Sequence, residues 1–136
     1  MKRRIFVDTN ILLDVLLQRE GFYDDALRIW ASAEEGKIDA YIAAISVNNI
    51  HYVIRRFKGA AAAMTAVRII LHVFNVVPVD SEILSLAADF HDKDYEDDIQ
   101  MQCALKIRCP QIFTRDPTHY DSSQIAVVPP SSFTLA

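Results

Sequence analysis

The chain has 136 residues and a mass of 15.4 kDa, and this length predicts a single domain over residues 1–136. Apolar residues make up 51% of the sequence, with only 3 glycines and 5 prolines. Such a composition excludes a mostly disordered or collagen-like chain. The 14 basic and 18 acidic side chains give a formal charge of −4, which argues against nucleic-acid binding through bulk positive charge.

Cysteine usage and hydropathy predict a cytoplasmic location. Cys103 and Cys109 are too few for a disulfide framework and lack the spacing of zinc ligands. Basic residues open the chain, but no long apolar segment precedes Asp8, so we expect no signal peptide. No apolar run reaches the roughly 18 residues that a spanning helix needs. We therefore expect reduced cysteines and no membrane segment.

Short apolar segments alternate with amphipathic segments along the chain. The apolar segments predict five strands, at 5–7, 40–45, 76–79, 111–114 and 125–128. The amphipathic segments predict six helices, at 10–18, 23–35, 46–57, 60–74, 82–91 and from 95 or 96 to 107. Ser46 is the predicted N-cap of the third helix. This alternation is typical of a three-layer α/β/α sandwich with a mostly parallel central sheet.

Two acids lie just after predicted strands. In a parallel sheet, ligands bind beyond the carboxyl ends of the strands. Asp8 follows the first strand, and Asp116 follows the fourth strand. Each has an ordinary structural alternative, because Asp8 can cap a helix and Asp116 can form a turn before Pro117.

A third group of acids lies in the segment HDKDYEDDIQ. Its members are Asp92, Asp94, Glu96, Asp97 and Asp98. Asp97 precedes apolar positions 101, 104 and 105 at helical spacing, so we expect its side chain to point toward the sheet. We assign Glu96 and Asp98 to a solvated first helical turn, which the helix dipole favours. The sequence offers Asp97 no obvious single cation, and a bound metal would satisfy an inward carboxylate.

Carboxylates converging at one sheet edge suit a hard divalent cation. Mg²⁺ and Mn²⁺ prefer oxygen ligands and keep several waters. A metal held by Asp8, Asp97 and Asp116 can activate water and stabilise a phosphoryl transition state, which points to a phosphodiester substrate. The alternative is that all three acids serve only as caps and turns.

Three segments, IFVDTNILLDVLL, DYEDDIQMQCAL and IFTRDPTHY, together resemble the motifs of the PIN domain family, the fold of the VapC-type toxin ribonucleases. The resemblance spans essentially the whole chain. It implies a Mg²⁺- or Mn²⁺-dependent endoribonuclease that is the toxin of a toxin–antitoxin pair. It also implies a homodimer, an RNA substrate and a small antitoxin protein that covers the acidic groove.

The resemblance also assigns site residues by position. Asp8 matches the first metal ligand, Asp97 the third acid and Asp116 the fourth acid. Asp94 and Asp98 are neighbouring candidates for the third acid. The residues that match polar groups supporting these acids are Thr9, Asn10 and Thr114.

One position departs from the family pattern. The family commonly has a glutamate on the helix after the second strand, but here the segment is ISVNNIHYVIRR and the matching residue is Asn49. Asparagine offers a carbonyl oxygen without a negative charge, which should weaken metal binding. A non-catalytic PIN-like module that binds RNA or protein is therefore the alternative function.

The remaining residues narrow the choice of chemistry. Arg115, next to Asp116, is the candidate to neutralise substrate phosphate, or it balances the acidic site. No histidine has paired ligand spacing, and the three glycines cannot form a phosphate loop. A phosphotransferase with Asp8 as nucleophile is a weaker alternative, because phosphatases of the haloacid-dehalogenase type have a second aspartate where this chain has Asn10.

Overall fold

The computed structural model describes residues 2–89, 94–120, 122 and 124–135. In this part of the chain the strands are β1 (Arg3–Val7), β2 (Ile38–Ala43), β3 (Asn75–Val77), β4 (Gln111–Phe113) and β5 (Ala126–Val128). The helices are α1 (Thr9–Leu16), α2 (Tyr23–Glu34), α3 (Ala44–Lys58), α4 (Ala60–Val73), α5 (Ser81–Asp89) and α6 (Tyr95–Lys106). Short 3₁₀ turns lie at Pro117–His119 and Pro130–Ser132.

All strand pairs are parallel, in the order β3-β2-β1-β4-β5. Helices cover both faces, with α1 to α4 packed on one core and α5 and α6 on the other. Side chains of β1 alternate between them, because Ile5 and Val7 enter the first core and Phe6 enters the second. Burial on both faces explains why this strand reads as a continuous apolar run. The predicted three-layer α/β/α fold is confirmed.

The register of the sheet brings the ends of β1 and β4 together. Val7 pairs with Phe113, and the backbone N–H of Asp8 donates to the carbonyl of Phe113 at 3.0 Å. Residues that follow these two strands therefore lie side by side at the carboxyl edge of the sheet.

The start of α3 differs from its prediction. β2 ends at Ala43 and α3 begins at Ala44, so Ser46 lies inside the first helical turn. The prediction of Ser46 as N-cap is wrong, because this fully buried side chain instead faces Thr9, with 2.6 Å between the two hydroxyl oxygens. The role of Ser46 is therefore a buried hydrogen bond to α1 and not the capping of α3.

Two predictions fall outside the described residues, namely the end of the fifth helix at His91 and the acid Asp92. Within the described ranges, none of the helices combines the length and the apolar character needed to cross a membrane.

Candidate functional site

Asp8 is a buried carboxylate at the carboxyl edge of the sheet, with 3% of its surface exposed. Its Oδ2 accepts a hydrogen bond from the Thr114 hydroxyl at 2.6 Å. Its Oδ1 accepts from the Gln100 amide at 3.3 Å and from the backbone N–H of Asn10 at 3.4 Å. Burial nevertheless raises the pKa of Asp8, and the charge of Asp116 adds to the increase, although these hydrogen bonds oppose it. The site thus holds a desolvated carboxylate in a fixed orientation.

Gln100 connects this carboxylate to α6 and was not predicted as a site residue. Its side chain is fully buried. While its amide nitrogen donates to Asp8, its Oε1 accepts from the backbone N–H of Thr9 at 3.2 Å. One sequence signal exists, since Gln100 lies three residues after Asp97 and so shares its helix face. Gln100 therefore couples the junction of β1 and α1 to the helix that carries Asp97.

Asp97 lies in the first turn of α6, with its side chain 15% exposed, as its place on the apolar stripe predicts. Its Oδ1 accepts from the Tyr120 hydroxyl at 3.4 Å, and its Oδ2 lies 3.7 Å from Nδ1 of His119. Burial, followed by the charges of Asp8, Asp94 and Glu96, raises the pKa of Asp97 to about 7. Burial and the neighbouring acids therefore both disfavour the ionised form of Asp97.

The other acids of α6 have different roles in the fold. Asp94 is exposed and is the N-cap of the helix, accepting from the backbone N–H of Asp97 at 3.1 Å. Glu96 and Asp98 lie in the first turn of the helix, as predicted, but both are half-buried and not fully solvated. Glu96 accepts from the Thr9 hydroxyl at 3.1 Å.

Thr114 links Asp8 to Asp116. Its buried hydroxyl donates to Asp8 and accepts from the backbone N–H of Asp116 at 3.2 Å. Asp116 is half-buried and lies close enough for its charge to raise the pKa of Asp8, for which burial is the larger cause. The structure therefore brings Asp8, Asp97 and Asp116 into one electrostatic neighbourhood.

The donor chemistry of this neighbourhood fits a hard divalent cation. Among the described residues, no group of three His, Cys, Asp or Glu side chains is arranged to hold a metal ion. Mg²⁺ usually binds through one or two carboxylates and retains its waters, so it does not require such a group. Asp8, which is buried, and Asp97, which is half-buried, offer carboxylate oxygens. Burial and then the charges of neighbouring acids raise the pKa of both groups, and a bound cation would relieve that repulsion.

The raised pKa of Asp97 predicts how stability changes with pH in the metal-free protein. The folded chain keeps this proton up to about pH 7, whereas the unfolded chain releases it near 3.8. The free energy of unfolding should therefore fall as the pH rises from 4 to 7, by about 1 to 2 kcal/mol because solvent screens this partly open site. Urea unfolding in EDTA measures the fall. Asp97→Asn should show a smaller one, and an equal fall would contradict the assignment.

A polar groove lies beside Thr9, the residue after Asp8, and Asn49 lines it. This α1–α3 groove has a volume of about 320 Å³, and its polar lining residues are Thr9, Asn10, Arg19, Asn49, Tyr52 and Glu96. Asn49, which stands where the family commonly has a glutamate, therefore lines the same groove as Glu96, which comes from α6.

Arg115 points back into the fold. Its Nε lies 3.7 Å from Oδ2 of Asp14, and its guanidinium carbon lies 4.1 Å from the centre of the Phe22 ring. Asp14 is 1% exposed and also accepts from Arg19 at 3.3 Å. The contact of Arg115 with substrate phosphate stays a prediction. Its contact with Asp14 was not predicted from the sequence.

A family model of the PIN domain matches residues 4–118. The chain belongs to the PIN domain family. This result confirms the resemblance inferred from the three sequence motifs. It agrees with the parallel sheet and with the acids at the ends of β1 and β4.

Individual relatives are distant. Ribonuclease VapC1 of Aquifex aeolicus (strain VF5) is 22% identical over 135 residues, covering 96% of this chain and 92% of that protein. The crystal structure of Mycobacterium tuberculosis VapC20, a sarcin-ricin loop cleaving toxin, matches with a TM-score of 0.66 and 21% identity over 88% of this chain and 91% of that one. A toxin–antitoxin complex from Klebsiella pneumoniae matches with a TM-score of 0.68 and 19% identity, covering 93% and 97%. At these identities the solved structures establish the fold.

Proposed function

We propose that this PIN domain is a metal-dependent endoribonuclease and the toxin of a type II toxin–antitoxin pair. The observation that carries the proposal is the position of Asp8 between two other acids. Thr114 hydrogen-bonds both the Asp8 carboxylate and the backbone of Asp116, and the charge of Asp8 adds to the raised pKa of Asp97, for which burial is the larger cause. The similarity to Ribonuclease VapC1 and to the VapC20 toxin supports RNA as the substrate.

Asp8, Asp97 and Asp116 are the residues that would hold Mg²⁺ or Mn²⁺, with Asp94 and Asp98 as neighbouring candidates. The bound ion would supply Lewis acidity and lower the pKa of a water molecule. Thr114 and Gln100 orient the Asp8 carboxylate, and Tyr120 orients Asp97. In the proposed hydrolysis the water oxygen would bond to phosphorus as the bond from phosphorus to the 3′ oxygen breaks. The proton lost by the water balances the one gained by the 3′ oxygen, leaving a 5′-phosphate and a 3′-hydroxyl.

Polar residues around the acids complete the proposed site. Thr9 hydrogen-bonds Ser46 and Glu96, and Asn10 accepts from Arg19 at 3.4 Å. Asn49 lies in the α1–α3 groove, where its amide can contact RNA or metal-bound water. Arg115 would reach substrate phosphate only by leaving Asp14, so its role as a phosphate ligand requires a side-chain movement.

A small antitoxin protein is the proposed partner. One of the matching solved structures is a toxin–antitoxin complex, and a basic side chain of an antitoxin would neutralise the buried carboxylates. A homodimer within the cytoplasm is proposed on the family resemblance alone.

Cleavage of structured RNA tests the function. The purified protein, freed of any copurified antitoxin, is incubated with a mixed RNA pool in Mn²⁺ or in EDTA. We expect fragments with 5′-phosphate ends in Mn²⁺ and intact RNA in EDTA. Intact RNA under both conditions, from protein shown to be folded, would contradict the nuclease.

A non-catalytic binding module is the second candidate, because Asn49 stands where the family usually has a glutamate. This alternative predicts that RNA or protein binds without metal-dependent turnover. A gel-shift assay on the same RNA pool, in EDTA and in Mn²⁺, separates binding from cleavage.

A further inference from the structure

Asn49 and Glu96 face the same space from two different helices. The α1–α3 groove is lined by Asn49 from α3, by Thr9 and Asn10 from α1, and by Glu96 from α6. An acid placed on α3 at position 49 would therefore share this groove with Glu96. Two carboxylates in so small a space repel each other, whereas one carboxylate and one amide do not.

The Thr9 hydroxyl holds Glu96 on the α3 side of the site. Its oxygen lies 3.1 Å from Oε1 of Glu96 and 2.6 Å from the Ser46 hydroxyl of α3. Thr9 directly follows Asp8 in the chain, and its backbone N–H is fixed by Gln100 at 3.2 Å. The Glu96 carboxylate is thus attached to the same junction that orients Asp8.

Glu96 enters this groove without an ion pair among the described residues, because the pairs found there do not include it. Arg19 also lines the groove, but its guanidinium group pairs with Asp14 at 3.3 Å. The Glu96 carboxylate, which accepts from the Thr9 hydroxyl, is therefore available to a cation bound beside Asp8.

We propose that Glu96 supplies from α6 the carboxylate that α3 lacks at Asn49, binding the divalent cation directly or through its water. The inference rests on the proposed metal-dependent function. On this proposal the site keeps the negative charge that the family carries on α3, but the charge comes from α6. Asn49 then acts as the neutral neighbour that lets Glu96 occupy the groove.

Mn²⁺ titration of a double-mutant cycle tests the relocation. The proteins are the wild type, Glu96→Gln, Asn49→Glu and the double variant, with Glu35→Gln as a matched control. Glu35 is exposed and pairs with Lys37 just before β2 begins, at the opposite edge of the sheet. Binding is followed by calorimetry and by the electron paramagnetic resonance signal of free Mn²⁺, and thermal unfolding in EDTA checks that each variant folds.

We expect Glu96→Gln to weaken Mn²⁺ binding about 10-fold or more, because one ligand charge is lost. Adding Asn49→Glu to that variant should restore most of the affinity, whereas Asn49→Glu alone should gain little. Glu35→Gln should bind as the wild type does. Glutamine keeps the oxygen that accepts from Thr9, so the local fold should persist.

Two results would overturn the proposal in different ways. Wild-type affinity in a folded Glu96→Gln variant would refute the role of Glu96 while leaving the metal-dependent function in place. No Mn²⁺ binding by the wild type would refute both proposals together. If Glu96→Gln fails to fold, Glu96→Asp replaces it, and unchanged affinity in that shortened side chain would count against direct or water-mediated ligation.

Discussion

Replacing Asp97 with asparagine is expected to lower Mn²⁺-dependent RNA cleavage by roughly 100-fold or more, whether the carboxylate holds the metal or moves a proton. Asparagine has the same shape and can still accept from the Tyr120 hydroxyl. The loss should therefore come from the missing charge and not from a rearranged α6. Initial rates of cleavage of a defined RNA in Mn²⁺ give the measurement.

A matched control separates this loss from a general effect of removing one negative charge. Asp39 lies in β2 and pairs in register with Arg4, toward the amino end of the sheet and away from the site. Asp39→Asn should cleave RNA as the wild type does. Retained cleavage in Asp97→Asn would remove Asp97 from the proposed site, and urea unfolding of both variants confirms that they are folded.

The order of the elements was predictable because the strands of this sheet are buried on both faces. Ile5, Phe6 and Val7 form an uninterrupted apolar run for that reason. Boundaries were less predictable. β2 was predicted to reach residue 45 because Ala44 and Ile45 continue its apolar run, although α3 already begins at Ala44. Apolar composition cannot distinguish the last residues of a buried strand from the first residues of a buried helix.

Asp8 and Asp116 were predictable as candidates from their positions near strand ends, and Asp97 from its place on the apolar face of its helix, but the groups that orient these carboxylates were not predictable. Gln100 looks like any polar helix residue until the fold places it against Asp8. Glu96 looks like a surface acid until Thr9 is known to contact it. These contacts span about 90 residues of sequence, so no local pattern reports them. Thr114, by contrast, follows β4 directly and was predicted from the motif.

Asp14 and its two arginines form a charge cluster in which the carboxylate is buried and both guanidinium groups are partly exposed. Burial raises the pKa of Asp14, and the charges of Arg115 and Arg19 only partly oppose this increase. Asp14→Leu removes both ion pairs and the hydrogen bond from Arg19, but it also relieves the cost of burying a carboxylate. We therefore expect a loss of about 1 to 2 kcal/mol in the free energy of unfolding, measured by urea titration at neutral pH. An effect below about 0.5 kcal/mol, as for an ordinary surface substitution, would contradict the importance of the cluster.

Two further variants, Arg115→Met and Asp14→Leu combined with Arg115→Met, show which role Arg115 has. If its main role is to anchor the segment after β4 to Asp14 of α1, each single variant lowers the free energy of unfolding. The double variant should then lose less than the sum of the two single losses, by about 1 kcal/mol or more. If Arg115 instead leaves Asp14 to bind substrate phosphate, Arg115→Met should raise the KM for RNA at little cost in stability. The structure favours the anchoring role, because the Arg115 side chain stacks on Phe22 and lies 3.7 Å from Asp14. It would have to lose both contacts to reach RNA.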